Sequence, residues 1–120
     1  MIFLCLCLAG GLGGVARYWV DSRVNSRHRS ALPWGTVVVN ASACLLLGLF
    51  TGLAMNHGGD WWPVLTVGFT GGYSTFSTAC VEAARLSRGG HWGLAAVQAL
   101  GMLVVSFGLA GLGLWLGSLV

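Results

Sequence analysis

Apolar residues dominate four long stretches of the chain, and short polar segments separate them. The pattern predicts helices at about residues 2–20, 34–55, 61–84 and 92–119. Crossing the hydrocarbon layer of a bilayer takes roughly 20 apolar residues in a helix, so each stretch is a candidate membrane span. The predicted fold is therefore an all-α integral membrane protein, with residues 1–120 forming one four-helix transmembrane domain.

Six tryptophans support these helix limits independently. All lie at or near a predicted helix end: Trp19, Trp34, Trp61, Trp62, Trp92 and Trp115. Tryptophan is enriched where helices pass through the headgroup layer, because its ring is apolar while its N–H needs a polar partner. The aromatic positions therefore indicate that the surrounding solvent is membrane lipid.

Composition agrees with the membrane prediction and narrows the function. The chain is 56% hydrophobic and 8% charged, which leaves too little charge to cover a soluble domain of 120 residues. The net charge of +3 is too small for a nucleic-acid-binding surface. We find no phosphate-binding loop and no set of catalytic residues, so we expect neither nucleic-acid binding nor an enzyme.

The basic residues indicate how the chain is oriented. All six are arginines in or beside the first and third loops: Arg17, Arg23, Arg27, Arg29, Arg85 and Arg88. Cytoplasmic loops are enriched in arginine and lysine, so both termini are expected outside the cytoplasm. Arg17 ends the first span, where it either attracts anions to a vestibule or extends its charge to the headgroups.

The third span contains an unusual run of small and polar residues. Gly71 and Gly72 each weaken a helix by about 1 kcal/mol relative to alanine, and the following Ser74 and Thr75 are good helix N-caps. The run predicts a break near Gly71-Gly72 and a new half-helix from about Ser74. Broken backbone at this depth must be buried in protein or line a cavity, so both an ion site and a plain glycine kink remain open.

Other polar residues mark the faces of the second, third and fourth spans. Asn40 lies on a stripe with Thr36, Cys44 and Gly48, and a buried amide there indicates either contact between helices or an ion pathway. Gln98, Met102 and Ser106 share a face of the fourth span. Glu82 shares a face with Thr75 and Thr78, and is expected either to be functional or to pair with Arg85.

These residues resemble those of the Fluc (CrcB) family of fluoride channels over essentially the whole chain. The matching motifs are Gly10-Gly11-x-Gly13-x-x-Ala16-Arg17-Tyr18, Gly35-Thr36-x-x-x-Asn40 and Gly68-Phe69-x-Gly71-Gly72-x-Ser74-Thr75-Phe76-Ser77-Thr78, followed by Glu82. The resemblance implies an antiparallel dimer in the cell membrane, with pores between the subunits that export fluoride passively from the cytoplasm.

The resemblance also implies roles for individual residues. Main-chain carbonyls of Gly71 and Ser74 would hold a structural Na⁺ at the dimer centre, and Arg17 would lie at a vestibule. The implied fluoride path consists of Asn40, Phe76, Thr75, Ser77, Thr78, Glu82 and Ser106.

One departure from the family pattern bears on the partner. Ala79 stands where the family usually has a second phenylalanine, and a methyl group offers no positive ring edge to an anion. Together with the one-sided arginines, Ala79 predicts that the partner is an oppositely oriented paralogous subunit. The alternatives are a small proton-coupled multidrug transporter subunit and a non-conducting structural subunit of a heterodimer.

Overall fold

The computed structural model describes residues 1–28 and 32–120, so Arg29 of the predicted first loop lies outside the described residues. The fold is all-α, with four helices of which the third is bent. The third helix consists of a π-helical segment (Val64–Phe69), α3 (Thr70–Tyr73) and α4 (Phe76–Arg88). In chain order the elements are α1 (Ile2–Arg27), α2 (Trp34–His57), the π-helical segment (Val64–Phe69), α3 (Thr70–Tyr73), α4 (Phe76–Arg88) and α5 (Trp92–Leu119).

In the described part of the chain, three helices are long and apolar enough to cross a membrane: α1, α2 and α5. Their outer surfaces are apolar and exposed, with exposed side chains such as Phe3, Leu12, Leu47 and Phe107. An apolar surface of this extent would be unfavourable in water, whereas lipid tails solvate it.

The first helix extends past its predicted end at Val20 and reaches Arg27. The prediction of a polar loop directly after Val20 is therefore wrong, because this segment is helical. Asn25 gives the physical reason. Its Nδ2 donates to Asp21 Oδ1 over 3.1 Å, and its Oδ1 accepts the Gly35 backbone N–H over 3.1 Å. These polar residues therefore extend α1 as a helix and attach its end to the start of α2.

The most extensive packing in the protein joins α2 to α5. Four glycines let the two backbones touch. A Cβ added at Gly48 would lie 2.8 Å from Leu114 N, and one at Gly113 would lie 2.8 Å from Leu49 N. Gly52 and Gly117 are equally crowded one turn further along. Close approach of this kind is how helices gain van der Waals contact in lipid, where burial of apolar surface gives little driving force.

The third helix is broken, as predicted, but the break lies at Ser74-Thr75 instead of at Gly71-Gly72. Ser74 and Thr75 are extended, with φ, ψ of −75°, 158° and −147°, 111°. The two glycines stay helical within α3. A Cβ added at Gly72 would lie 2.8 Å from the carbonyl carbon of Gly10, so this glycine serves the contact of α3 with α1.

A small buried cluster fixes the helix immediately before the break. Val39 and Ala43 of α2 pack with Tyr73, the last residue of α3, and partly buried Phe69 stacks on the Tyr73 ring at 5.9 Å between centroids. The Tyr73 hydroxyl lies 2.9 Å from Ser42 Oγ. The ring is therefore held by both packing and a hydrogen bond, and it sets where the broken backbone begins.

Candidate functional site

Asn40 of α2 holds the broken backbone through both ends of its amide. Its Oδ1 accepts the Thr75 backbone N–H over 2.8 Å, and its Nδ2 donates to the Thr75 carbonyl over 2.9 Å. In a continuous helix the Thr75 N–H would instead bond to the Gly71 carbonyl. Asn40 therefore replaces a helical hydrogen bond with a side-chain pair, which is the local reason that the chain breaks here.

Thr75 also begins the second half of the bent helix. Its side-chain Oγ1 accepts the Thr78 backbone N–H over 3.3 Å, as an N-cap does, and it donates to Thr78 Oγ1 over 3.0 Å. Ser77 Oγ lies 3.5 Å from the same oxygen. The first turn of α4 thus gathers three hydroxyl groups around the helix start.

Glu82 lies further along α4 and is paired with α2. Thr36 Oγ1 donates to Glu82 Oε1 over 3.0 Å, and Thr36 itself is only 1% exposed. The second carboxylate oxygen, Glu82 Oε2, is buried and has no hydrogen-bond partner within residues 1–28 and 32–120. The predicted pairing with Arg85 is therefore not the contact that the structure shows; the hydroxyl of Thr36 takes that place.

A cavity of about 440 Å³ lies beside the break, between α2, α4 and α5. Four of the sequence-predicted residues line it, namely Asn40, Ser74, Phe76 and Ser106. The rest of its lining is small or apolar: Cys44, Ala79, Cys80, Ala83, Ala99, Met102 and Leu103, together with the amide residue Gln98. The lining thus combines hydrogen-bond donors with apolar walls and contains no carboxylate.

Gln98 is the polar residue of the cavity that the sequence-based list of site residues omits. Its side chain is 4% exposed, and neither Nε2 nor Oε1 has a hydrogen-bond partner among the described residues. An unpaired buried polar group costs about 1–3 kcal/mol, so this amide requires an explanation. The sequence signal was present, since Gln98 interrupts an apolar helix on the same face as Met102 and Ser106.

Phe76 and Ser77 lie on the outer surface of the chain as well as beside the break. The Phe76 side chain is 84% exposed, and Ser77 and Gly71 are also exposed. A Cβ added at Gly71 would meet nothing within 4 Å. A hydroxyl and broken backbone directed at lipid would be costly, which makes this face a candidate for contact with another protein chain.

The backbone at the break has a carbonyl oxygen without its helical donor. The Gly71 carbonyl has lost its helical donor, because the Thr75 N–H bonds to Asn40. In residues 1–28 and 32–120, no group of three His, Cys, Asp or Glu side chains is placed to hold a metal ion. Carbonyl oxygens suit hard cations, and the open space at Gly71 leaves that backbone accessible.

Arg17 is not brought into the cavity. It lies on α1, half-buried, one residue after Ala16, which packs against the Val39, Ala43 and Tyr73 cluster. The structure therefore separates the predicted vestibule residue from the four residues that meet at the cavity. Arg23, a turn and a half further along α1, lies over the Trp19 ring at 4.7 Å.

Comparisons with known proteins agree with the motifs. The family model described as CrcB-like protein, Camphor Resistance (CrcB), matches residues 4–117. A protein of Cutibacterium acnes, named fluoride-specific ion channel FluC 2, is 48% identical, with 100% of both chains covered. One of Leifsonia xyli subsp. xyli, named fluoride-specific ion channel FluC 1, is 44% identical, with 99% of this chain and 88% of the relative covered. The predicted resemblance is confirmed, and the chain belongs to the CrcB family of Fluc proteins.

Proposed function

We propose that this chain is a subunit of a fluoride-specific ion channel that lets fluoride leave the cytoplasm passively. The observation that carries the proposal is the cavity beside the helix break. It is lined by neutral donors and an aromatic ring, contains no carboxylate, and lies within an apolar membrane protein. Neutral donors can replace the water around an anion without trapping it by charge, as conduction requires. The chain is a channel subunit and not an enzyme.

The proposed path begins at the cavity and continues along α4. Asn40 uses one hydrogen of Nδ2 for the Thr75 carbonyl, which leaves the second for an anion. Phe76 would present its positive ring edge, and Ser106 its hydroxyl. The hydroxyls of Thr75, Ser77 and Thr78 then lead toward Glu82. Arg17 would act at a distance, by attracting anions to the vestibule.

We further propose that the exposed face around Phe76 is covered by a second subunit. Gly71, Phe76 and Ser77 are exposed in the single chain, although they adjoin the polar break. A structural Na⁺ would lie at the centre of such a dimer, where carbonyls of Gly71 and Ser74 would meet carbonyls of the partner subunit. Its charge would satisfy carbonyls that the break leaves without helical donors, and so fix the two subunits relative to each other.

The orientation proposal rests on the arginines. Arg23 and Arg27 lie in the last turns of α1, and Arg85 and Arg88 lie at the end of α4. The Asn25–Gly35 and Thr36–Glu82 hydrogen bonds place these helix ends together. This side would face the cytoplasm of a cell membrane, with both termini outside. An antiparallel partner would then be an oppositely oriented paralogous subunit.

The function is tested in the native cells, where any partner is present. Deleting the gene should raise cytoplasmic fluoride during a fluoride challenge, and restoring it should return fluoride to the original level. The fluoride content of washed cells is measured with a fluoride electrode after lysis. Equal cytoplasmic fluoride with and without the gene would contradict the proposed function.

The orientation is tested separately at native expression. A reporter fused to the C-terminus should report an extracytoplasmic location alone. Equal signals from both sides of the membrane would mean that the chain inserts in both orientations, and the partner would then be a second copy of this chain.

A further inference from the structure

Two side-chain amides line the cavity, and they differ in what they already bind. Asn40 is committed to the backbone, with bonds of 2.8 and 2.9 Å to the N–H and carbonyl of Thr75. Gln98, on α5, has no partner for either amide atom in the described part of the chain. The hydrogen bonds of Asn40 to the backbone explain why that amide is buried, whereas no contact within the described residues explains the burial of the Gln98 amide.

The surroundings of Gln98 do not suit an amide unless something occupies the cavity. Its near neighbours along the cavity-lining face of α5 are Ala99 and Met102, and the α4 wall of the cavity presents Ala79 and Ala83. None of these side chains accepts or donates a strong hydrogen bond. Gln98 belongs to the cavity wall although both its amide atoms are buried, and a dehydrated anion is a small ligand that an N–H₂ group can serve directly.

We infer that Gln98 contacts the permeating anion and donates to it from Nε2, while Asn40 chiefly holds the broken helix in place. The inference rests on the proposed function and deepens it, since it names a further side chain that would replace water around the ion. The donor comes from α5 and the Phe76 ring from α4, and both residues line the cavity. An anion between them would meet a ring edge on one side and an amide hydrogen on the other.

The competing explanation is that Gln98 bonds to a partner subunit and only holds helices together. The two explanations make opposite predictions about stability. If Gln98 serves the ion, replacing it with an apolar side chain of similar size removes an unpaired polar group and leaves the assembly at least as stable. If Gln98 binds a partner chain, the same replacement weakens the assembly.

The test compares Gln98→Met with Leu100→Met, a substitution at an exposed position of α5 that does not line the cavity. Both genes are restored at native expression, and fluoride efflux from preloaded cells is followed with an electrode, alongside membrane abundance. Gln98→Met should slow efflux about tenfold, as expected from the loss of one hydrogen bond to an ion. Leu100→Met should stay close to wild type. Thermal stability of each extracted complex is measured in parallel.

The outcomes are separable. Slow efflux with undiminished abundance and thermal stability supports the assignment. Efflux by Gln98→Met within about twofold of wild type, or a complex that melts well below wild type, overturns it. If wild-type cells themselves show no more efflux than cells lacking the gene, the proposed function fails together with this inference. If efflux depends on the gene but Gln98→Met releases fluoride as fast as wild type, the channel function stands and Gln98 has no part in it.

Discussion

The contact between α2 and α5 and the break in the third helix both depend on α2, yet they are built in opposite ways. The contact depends on residues that lack side chains, because the glycines at four positions let backbone touch backbone: Gly48, Gly52, Gly113 and Gly117. The break depends on polar side chains, because the Asn40 amide and the Thr75 hydroxyl replace lost helical hydrogen bonds. The first region fixes a distance between helices, and the second fixes the positions of polar groups.

The difference shows how a small membrane protein can keep a polar site in an apolar surrounding. The glycine contact tolerates no added atom but is indifferent to charge. The break tolerates extra volume at exposed Gly71 but depends on the direction of each donor and acceptor. Substitutions in the first region should therefore affect folding, and those in the second should affect ion flux or assembly.

The largest effect is expected in the glycine contact. Gly113→Ala would place a Cβ 2.8 Å from Leu49 N and against the Leu45 carbonyl, and neither backbone group can move without separating the helices. We expect a loss of about 3 kcal/mol or more in stability, seen as little folded protein after detergent extraction. Gly111→Ala is the control, since its added Cβ meets nothing within 4 Å. Equal yields of both variants would contradict this packing.

Asn40→Asp should have the largest effect on flux. The change removes the donor to the Thr75 carbonyl and adds a negative charge to the cavity, so fluoride efflux should fall about a hundredfold. Asn56→Asp is the matched control, because Asn56 Nδ2 also donates to a main-chain carbonyl, that of Ser118, over 2.8 Å. It should cost stability but preserve flux. Unchanged efflux in Asn40→Asp would mean that Asn40 only joins helices.

Gly71→Leu should affect assembly and leave the single chain folded. The position is exposed and an added Cβ meets nothing within 4 Å, but a leucine side chain would occupy the proposed contact with the second subunit. We expect the dimer fraction to fall sharply in size-exclusion chromatography coupled to light scattering, with helix content unchanged. Gly93→Leu, at another open position, should remain dimeric. A normal Gly71→Leu dimer would place the interface elsewhere.

The smallest effect is expected for Thr36→Val. The substitution keeps the shape of a buried residue and removes its 3.0 Å hydrogen bond to Glu82 Oε1. We expect a loss of about 1–2 kcal/mol in stability and a reduction of a few-fold in efflux, because Glu82 loses its only described side-chain partner. Thr51→Val, whose hydroxyl bonds only within its own helix to the Leu47 carbonyl, should be nearly neutral. Equal melting temperatures for the two variants would show that the bond to Glu82 is unimportant.

The sequence predicts the helices well and the position of the break less well. Hydrophobic patterning marks where α2 and α5 begin because lipid demands apolar surface. It places the end of α1 too early, since the polar residues from Asp21 to Arg27 form helix through contacts of Asn25 that no local pattern contains. The glycine pair suggests a break that tertiary contact shifts to Ser74-Thr75, because Gly72 packs on α1 while Asn40 captures Thr75.

The sequence singles out residues that the fold brings together, and their functional roles stay predictions. Asn40, Ser74, Phe76 and Ser106 meet at one cavity. That Asn40 uses its amide on the backbone, and that Gln98 has an unpaired one, depends on distances across three helices. The exposure of Phe76 cannot be understood from one chain's sequence, because the surface proposed to cover it would belong to another subunit.

Ion flux across native membranes tests the proposed anion path most directly. Vesicles from cells with and without the gene are loaded with fluoride and chloride, and both ions are followed outside by selective electrodes after the gradient is applied. We predict rapid fluoride release only from vesicles that contain the protein, with chloride release equal in both. Fluoride release that is the same with and without the protein, or chloride release that rises alongside it, would contradict a fluoride-specific path through this cavity.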